Sequence, residues 1–217
     1  GRDTFISLPG ILLTTGRFEE AKEVFRLYAR YQNAEGIIPN RIHLDGKAEY
    51  NTADGSLWFV ESLYKYYEAT EDVAFVKEML SVVNKILSGY VSKDKARNIY
   101  IDEDALVVTP AQWTWMDAAP NGRNPVTPRN GKPIEIQALT YNALSIAVEL
   151  NKLFGDKNLA VEFDNVRLRM KESINKKYFE SGRDYPYDVL DGDVHKDAVR
   201  PNAVFLVSLS KVSDLLP

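Results

Sequence analysis

The chain has no cysteine and only two histidines, His43 and His195, among its 217 residues. Without a thiol there is no disulfide, no thiolate-ligated metal and no cysteine nucleophile, and two isolated histidines do not make a histidine-based zinc site. No thiolate- or histidine-held metal is therefore expected, and the lack of cysteine points to a reducing, cytoplasmic compartment. No run reaches the roughly 18–20 uninterrupted apolar residues of a membrane-spanning helix. The opening GRDTFISLPG carries neither a Met nor the basic and apolar blocks of a signal peptide. The expectation is a segment of a longer protein, with no membrane partner. An excess of one charge is also missing: 27 Lys plus Arg face 31 Asp plus Glu, for a net charge of −4. The two signs are interspersed as on solvated helices, with no basic stripe to neutralise phosphates, so nucleic acid is not an expected partner. What the chain does have is apolar material, 45% of its residues, enough for a sizeable core.

That material is arranged with helical periodicity. Phe18, Ala21, Phe25 and Tyr28 recur at steps of three or four, predicting a one-faced helix stopped by Gly36. From Asp72 to Tyr90, one stripe holds Val76, Met79, Leu80, Val83, Ile86, Leu87 and Tyr90, with lysines opposite. Leu159, Phe163, Val166, Met170 and Ile174 make a third such stripe up to Tyr178. Three other segments differ. EIQALTYNALSIAVELNKLF from Glu135 is apolar around most of its circumference, TADGSLWFVESLYKYYEAT is aromatic-rich, and TFISLPGILL is apolar nearly all round although Pro9 should kink it. Helices buried on both faces thus alternate with helices buried on one, as an inner ring wrapped by an outer ring requires. The expected fold is all-α, an α/α toroid, with a short β-hairpin at one rim from RNIYIDEDALVV. The whole of 1–217 reads as one incomplete domain, truncated at both ends. The Pro-, Gly- and Asn-rich stretch 119–133 reads as a long loop of the functional kind.

Polar residues fall at the ends of the doubly buried helices, which places them at one rim: Arg2 and Asp3, Asn51 and Asp54, Asp117, then Arg129, Glu135 and Gln137. Within TPAQWTWMDAAP, Trp113 and Trp115 flank Asp117. Carboxylates and an arginine suit sugar hydroxyls, while indoles stack on the apolar face of a pyranose. A carboxylic acid held between indoles would be desolvated and its proton retained, as a general acid for glycoside cleavage requires. Each residue also has a plain structural alternative. Asp3 and Asp54 can serve helix N-termini, Glu135 the dipole of its helix, Asp117 a turn, and both tryptophans the core. YDVLDGDVHKD, with Asp188, Asp191, Asp193 and Asp197, lacks the spacing of a calcium loop and reads as a solvated turn. The acidic run 102–104 falls in the expected hairpin and carries little.

GRDTFISLPGILLTTGR, IPNRI, YNTADGSLWF, TPAQWTWMDA, PVTPRNGKPIEIQALTYNAL and RPNAVFLVSL together closely resemble the amylo-α-1,6-glucosidase region of glycogen debranching enzymes, particularly the archaeal and bacterial type. The resemblance spans nearly the whole chain, in the family's order. It implies the (α/α)6 barrel of the glucoamylase-like superfamily. It also implies hydrolysis, with inversion and without cofactor, of the single α-1,6-linked glucose at a trimmed branch of glycogen or another branched α-glucan. Arg2 and Asp3 then resemble the pair that holds the terminal glucose, and Asp117 the general acid. Asp54, Trp115, Arg129 and Glu135 resemble substrate-contacting or supporting groups. In this superfamily the catalytic base comes from a later helix or loop, and no position here matches it, although Glu135 is a substitute to consider. Two alternatives stand beside this reading: another exo-glycosidase of the same barrel, glucoamylase- or trehalase-like, and a non-catalytic glucan-binding half-barrel. The chain alone is expected to be inactive, and to self-associate or bind the remainder of its domain through an uncovered apolar edge.

Overall fold

The computed structural model describes residues 1–122, 124–180 and 183–217. Seven α-helices and seven short strands make up the described residues. The helices are α1 (Arg2–Leu8), α2 (Phe18–Arg30), α3 (Gly55–Thr70), α4 (Val73–Tyr90), α5 (Ile134–Phe154), α6 (Lys157–Lys177) and α7 (Phe205–Ser208). The first six form three successive pairs. α1, α3 and α5 pack side by side, α2 and α4 lie against them, and α6 packs along α5. This is a two-layer helical arrangement whose burial matches the sequence periodicity. Sixteen residues of α5 and ten of α3 are buried, on all sides, whereas α2 buries only Ala21 and Phe25 and α6 only Ala160, Phe163, Met170 and Ile174.

Aromatic rings fill the gap between layers. Phe25 of α2 sits edge-on to Phe59 of α3 with centroids 5.2 Å apart, and Phe59 in turn meets Phe5 of α1 at 5.1 Å. Such pairs add roughly 0.5–1.5 kcal/mol each beyond their area burial. Several polar groups buried in the inner layer pair with one another. Glu61 of α3 accepts from Asn142 Nδ2 of α5 at 2.8 Å and from Ser210 Oγ at 2.8 Å, tying both inner helices to the C-terminal segment. Two of the outer helices, α4 and α6, start at aspartate caps: Asp72 accepts from Phe75 N at 3.0 Å and Asp156 from Asn158 N at 2.7 Å.

At Pro9, the expected site of a kink, the helix widens into a π-helical run, Pro9–Leu13, in which Thr14 N bonds Pro9 O. Proline has no N–H for the Phe5 carbonyl four residues back, and the Ser62 hydroxyl of α3 takes that carbonyl instead. The outward side of this segment is uncovered rather than doubly buried, leaving Ile6 and Ile11 exposed. α2 ends at Arg30, five residues before the turn where Gly36 adopts φ +90°.

The expected hairpin is present as β3 (Tyr100–Ile101) against β4 (Val107–Val108). Two further small sheets accompany it. β1 (Arg41–Ile42) pairs with β2 (Ala48–Glu49), and β5 (Lys132–Pro133), β6 (Val189–Asp191) and β7 (Val194–Lys196) form an antiparallel trio. β5 leads directly into α5, so this trio and the loops before α3 and α5 gather at one end of the inner helices. No helix among the described residues is long and apolar enough to cross a membrane.

Candidate functional site

The loop before α3 and the tryptophan loop are stitched together at that end. Ala53 N donates to Trp113 O at 2.6 Å, and the Tyr90 hydroxyl holds Ala53 O at 2.5 Å. Asp54 then occupies the N-cap position of α3 without capping it. Thr52 Oγ1 takes that role, accepting from Gly55 N at 3.0 Å and donating to Asp54 Oδ1 at 2.9 Å. Freed from the helix end, Asp54 accepts from Arg2 Nε at 2.6 Å, and Arg2 reaches on through Nη1 to Asp117 Oδ2 at 3.1 Å. One guanidinium therefore bridges two carboxylates from distant loops. Burial alone would lower the Arg2 pKa, but Asp54 and Asp117 outweigh it and hold the group above its ordinary value. Burial pushes the Asp54 carboxyl up, against the opposing pull of Arg2 and Thr52. Arg2 Nη2 is buried and finds no acceptor among the described residues.

Above this bridge opens a cavity of about 670 Å³. Arg2, Asp3, Asp54, Trp115, Asp117 and Glu135 all line it, so six of the seven residues singled out from the sequence share one concavity. Arg129, the seventh, does not reach it. Arg129 is 1% exposed and lies behind Glu135, with Nε and Nη2 on the two Glu135 oxygens at 2.7 and 2.5 Å and Nη1 on Asp188 Oδ2 at 2.5 Å. Burial raises the Glu135 carboxyl, opposed by this fork. Both Glu135 oxygens already accept from the Arg129 guanidinium, which lowers their basicity toward a water and argues against it as a catalytic base.

The two tryptophans have different surroundings. Trp113 packs against the hydrophobic core, whereas Trp115 is 45% exposed and borders the cavity. Asp117 has a side chain 43% exposed, so the shielding between two indoles anticipated from WTWMD is absent.

Some of the cavity was not foreseen. Trp58 of α3 and Phe205 of α7 meet edge-on at 5.4 Å and line it, as do Asn40, Arg41 and Asn202. Asn202, 1% exposed, accepts from Trp115 Nε1 at 2.9 Å and donates to Asp188 Oδ1 at 3.3 Å. Asp188 is no solvated-turn residue: it is 5% exposed and also accepts from Arg200 Nε at 3.1 Å. Its neighbours do fit a turn, since Asp191 and Asp193 flank Gly192 (φ +58°) at the tip of β6–β7. Position within RPNAVFLVSL was the available signal for Asn202. Nothing in the local pattern of Asp188 separated it from the three aspartates after it. No cluster suited to a metal ion occurs among the described residues.

A family model described as amylo-alpha-1,6-glucosidase matches residues 1–213. The glycogen debranching enzyme of Saccharomyces cerevisiae is 26% identical over 256 residues, an alignment covering 87% of this chain and 17% of the yeast protein. The chain thus spans about a sixth of that relative's length. In fold it is similar to a rhamnosidase from Klebsiella oxytoca solved with rhamnose bound, with a TM-score of 0.63 at 17% identity over 80% of this chain and 31% of that one. It is also similar to the GH78 family rhamnosidase of Bacillus sp. GL1, with a TM-score of 0.53 at 21% identity over 67% of this chain and 14% of the other.

Proposed function

Since the chain belongs to the amylo-alpha-1,6-glucosidase family, we propose that its cavity receives the single α-1,6-linked glucose left at a trimmed branch of glycogen or a similar glucan, and that the parent protein hydrolyses that bond with inversion. The carrying observation is the convergence of Arg2, Asp3, Asp54, Trp115 and Asp117 on one cavity. Its floor offers a buried, unmatched guanidinium N–H for a sugar oxygen, and Trp115 offers an exposed indole face for the ring. Asp117, uncovered and at the cavity wall, is placed to protonate the glycosidic oxygen. Arg2 fixes its carboxylate from below, and Asp54 fixes Arg2.

Inversion needs a second carboxylate on the far side of the sugar, leaving room for water, with the two about 6.5–9.5 Å apart. Asp54 is committed to Arg2 and Thr52, and Glu135 to Arg129. The base is therefore assigned to a part of the parent beyond this chain, in a closed (α/α)6 barrel whose further helices would pack on the uncovered side of α1. On this reading the 217-residue chain alone binds glucan and does not cleave it. The test is Asp117→Asn in the full-length protein. Glucose release from a limit dextrin should fall ~10² to 10⁴-fold with binding retained, as loss of a general acid does; near-normal turnover would reassign the acid. Profiling α-1,6, α-1,4 and α,α-1,1 linkages separates this activity from a glucoamylase- or trehalase-like one.

A further inference from the structure

Most charged residues of the cavity fall into two sets. Arg2 and Asp54 neutralise one another, with Asp117 joined to them, and Glu135 is held by Arg129. Asp3 and Arg41 belong to neither set, and Arg41 is the cation of the two. It lines the cavity, is exposed, and has no ion-pair or side-chain hydrogen-bond partner among the described residues. The reason is local. Its cross-strand neighbour in the β1–β2 hairpin is Glu49, the natural partner for an arginine at that register, but Glu49 is taken by His43 Nε2 at 2.7 Å.

The hairpin base is nevertheless held in place. Asn40 N donates to Glu49 O at 2.7 Å and His43 N to Lys47 O at 2.8 Å. The Asn40 backbone also presses so closely on Gly1 that a Cβ there would lie 2.0 Å from Asn40 O. Arg41 is thus a free cation at a fixed place on the cavity rim, next to the start of α1. Depth decides what it can meet. Asp54, Glu135 and Leu139 are each 1% exposed and form the floor, while Arg41 stands at the mouth. An anionic ligand is disfavoured, because Asp3, Asp54, Asp117 and Glu135 outnumber the cations Arg2 and Arg41 around the same space.

We infer that Arg41 is a specificity-determining residue that donates hydrogen bonds to hydroxyls of the glucan chain on the leaving-group side of the scissile bond, outside the terminal glucose. This rests on the glucosidase reading above. On that reading the terminal glucose lies deepest, against Arg2, and the next sugar passes the exposed rim, where Arg41 stands with Asp3 and Trp115. A guanidinium donating to hydroxyls uses charge-assisted bonds, so its loss is felt about tenfold or more in binding.

The experiment compares full-length wild-type protein with Arg41→Ala and Arg41→Lys on two substrates. One is a branched oligosaccharide carrying a single α-1,6-glucosyl stub; the other is α-glucosyl fluoride, which fills only the floor. Arg41→Ala should raise KM for the branched substrate about tenfold while leaving its kcat, and turnover of the fluoride, within about twofold. Arg41→Lys should recover part of that loss. An unchanged KM for the branched substrate overturns the inference while leaving the glucosidase reading intact, and so does an equal fall on both substrates. Wild-type protein that releases no glucose from either substrate removes the glucosidase reading itself, and this inference with it.

Discussion

Replacing Arg129 by methionine would leave Glu135 without its cation in a dry part of the protein, and Asp188 with the partly exposed Arg200 as its remaining one. Glu135 is 1% exposed and Asp188 5%, and Arg129 supplies both oxygen contacts of the first and one of the closest contacts of the second. Removing one partner of a buried pair costs about 3–5 kcal/mol, because the charge left behind is uncompensated. For a domain of this size, one kcal/mol moves Tm by roughly 2–4 °C, so the expected fall is roughly 6–20 °C. The pH dependence gives the sharper test. Burial already raises the Glu135 carboxyl in the wild type, with Arg129 opposing, so the variant must raise it further. A carboxyl whose folded pKa lies above its unfolded value binds more protons in the native state than in the unfolded one. Its contribution is then fully present below the unfolded value, near about 4.3, and is lost as pH rises through the folded one. Arg129→Met should therefore be only mildly destabilised near pH 4 and progressively worse toward pH 7, measured by urea unfolding at each pH. Adding Glu135→Gln should restore part of the loss at pH 7. A destabilisation that is the same at pH 4 and pH 7, or that stays under about 1 kcal/mol, would refute the assignment of Arg129 as a buried charge clamp.

Two further outcomes are expected. Trp115→Ala should weaken glucan binding about two- to tenfold, as loss of one stacking face does, and should abolish most of the ligand-induced change in tryptophan fluorescence. Full retention of that signal would transfer it to Trp58. The exposed apolar side chains Ile6 and Val204 beside Phe205, with Val207 sharing the adjoining hollow of Val204, should make the isolated 217-residue chain self-associate, because uncovered patches of several hundred Å² are rarely tolerated by monomers. Static light scattering should show an apparent mass that rises with concentration and falls in Val207→Asp, whereas a constant monomer mass would count against an adhesive edge.

Helix positions and their one- or two-sided burial could be read from the sequence because side-chain periodicity is a local property. The stripes on α2, α4 and α6 and the all-round burial of α5 needed no knowledge of partners. The stretch 4–13 defied that logic for a physical reason: it is apolar nearly all round, but Ile6 and Ile11 are left half exposed. Apart from the β3–β4 hairpin, the short sheets were invisible because a two-residue strand such as Arg41–Ile42 has no period to detect. At the site, residue types and motif order brought out the six cavity residues, since acids, arginine and indoles beside inner helices are few. The sequence could not say that Arg129 would turn inward, or that Asp188 would be buried while Asp193, five residues on, is exposed. Both outcomes depend on the pairing of β5 with β6, which brings segments about 60 residues apart into register.

The bridge built on Arg2 sets the order in which the molecule can come together. Its two bonds span 52 and 115 residues of chain, and the Trp115–Asn202 bond spans another 87. Closing loops of that length is slow compared with forming a helix. During synthesis the first helices can form while Asn202 is still to be made, and the indole then lacks its tether. The cavity is therefore among the last parts of the chain to be completed. A sugar that binds it binds the finished molecule only, and such a ligand at a hundred times its Kd stabilises the whole by about 2.7 kcal/mol. Occupancy thus acts as a check on the entire fold, raising the melting of α6, far from the sugar, as much as that of α1, which touches it.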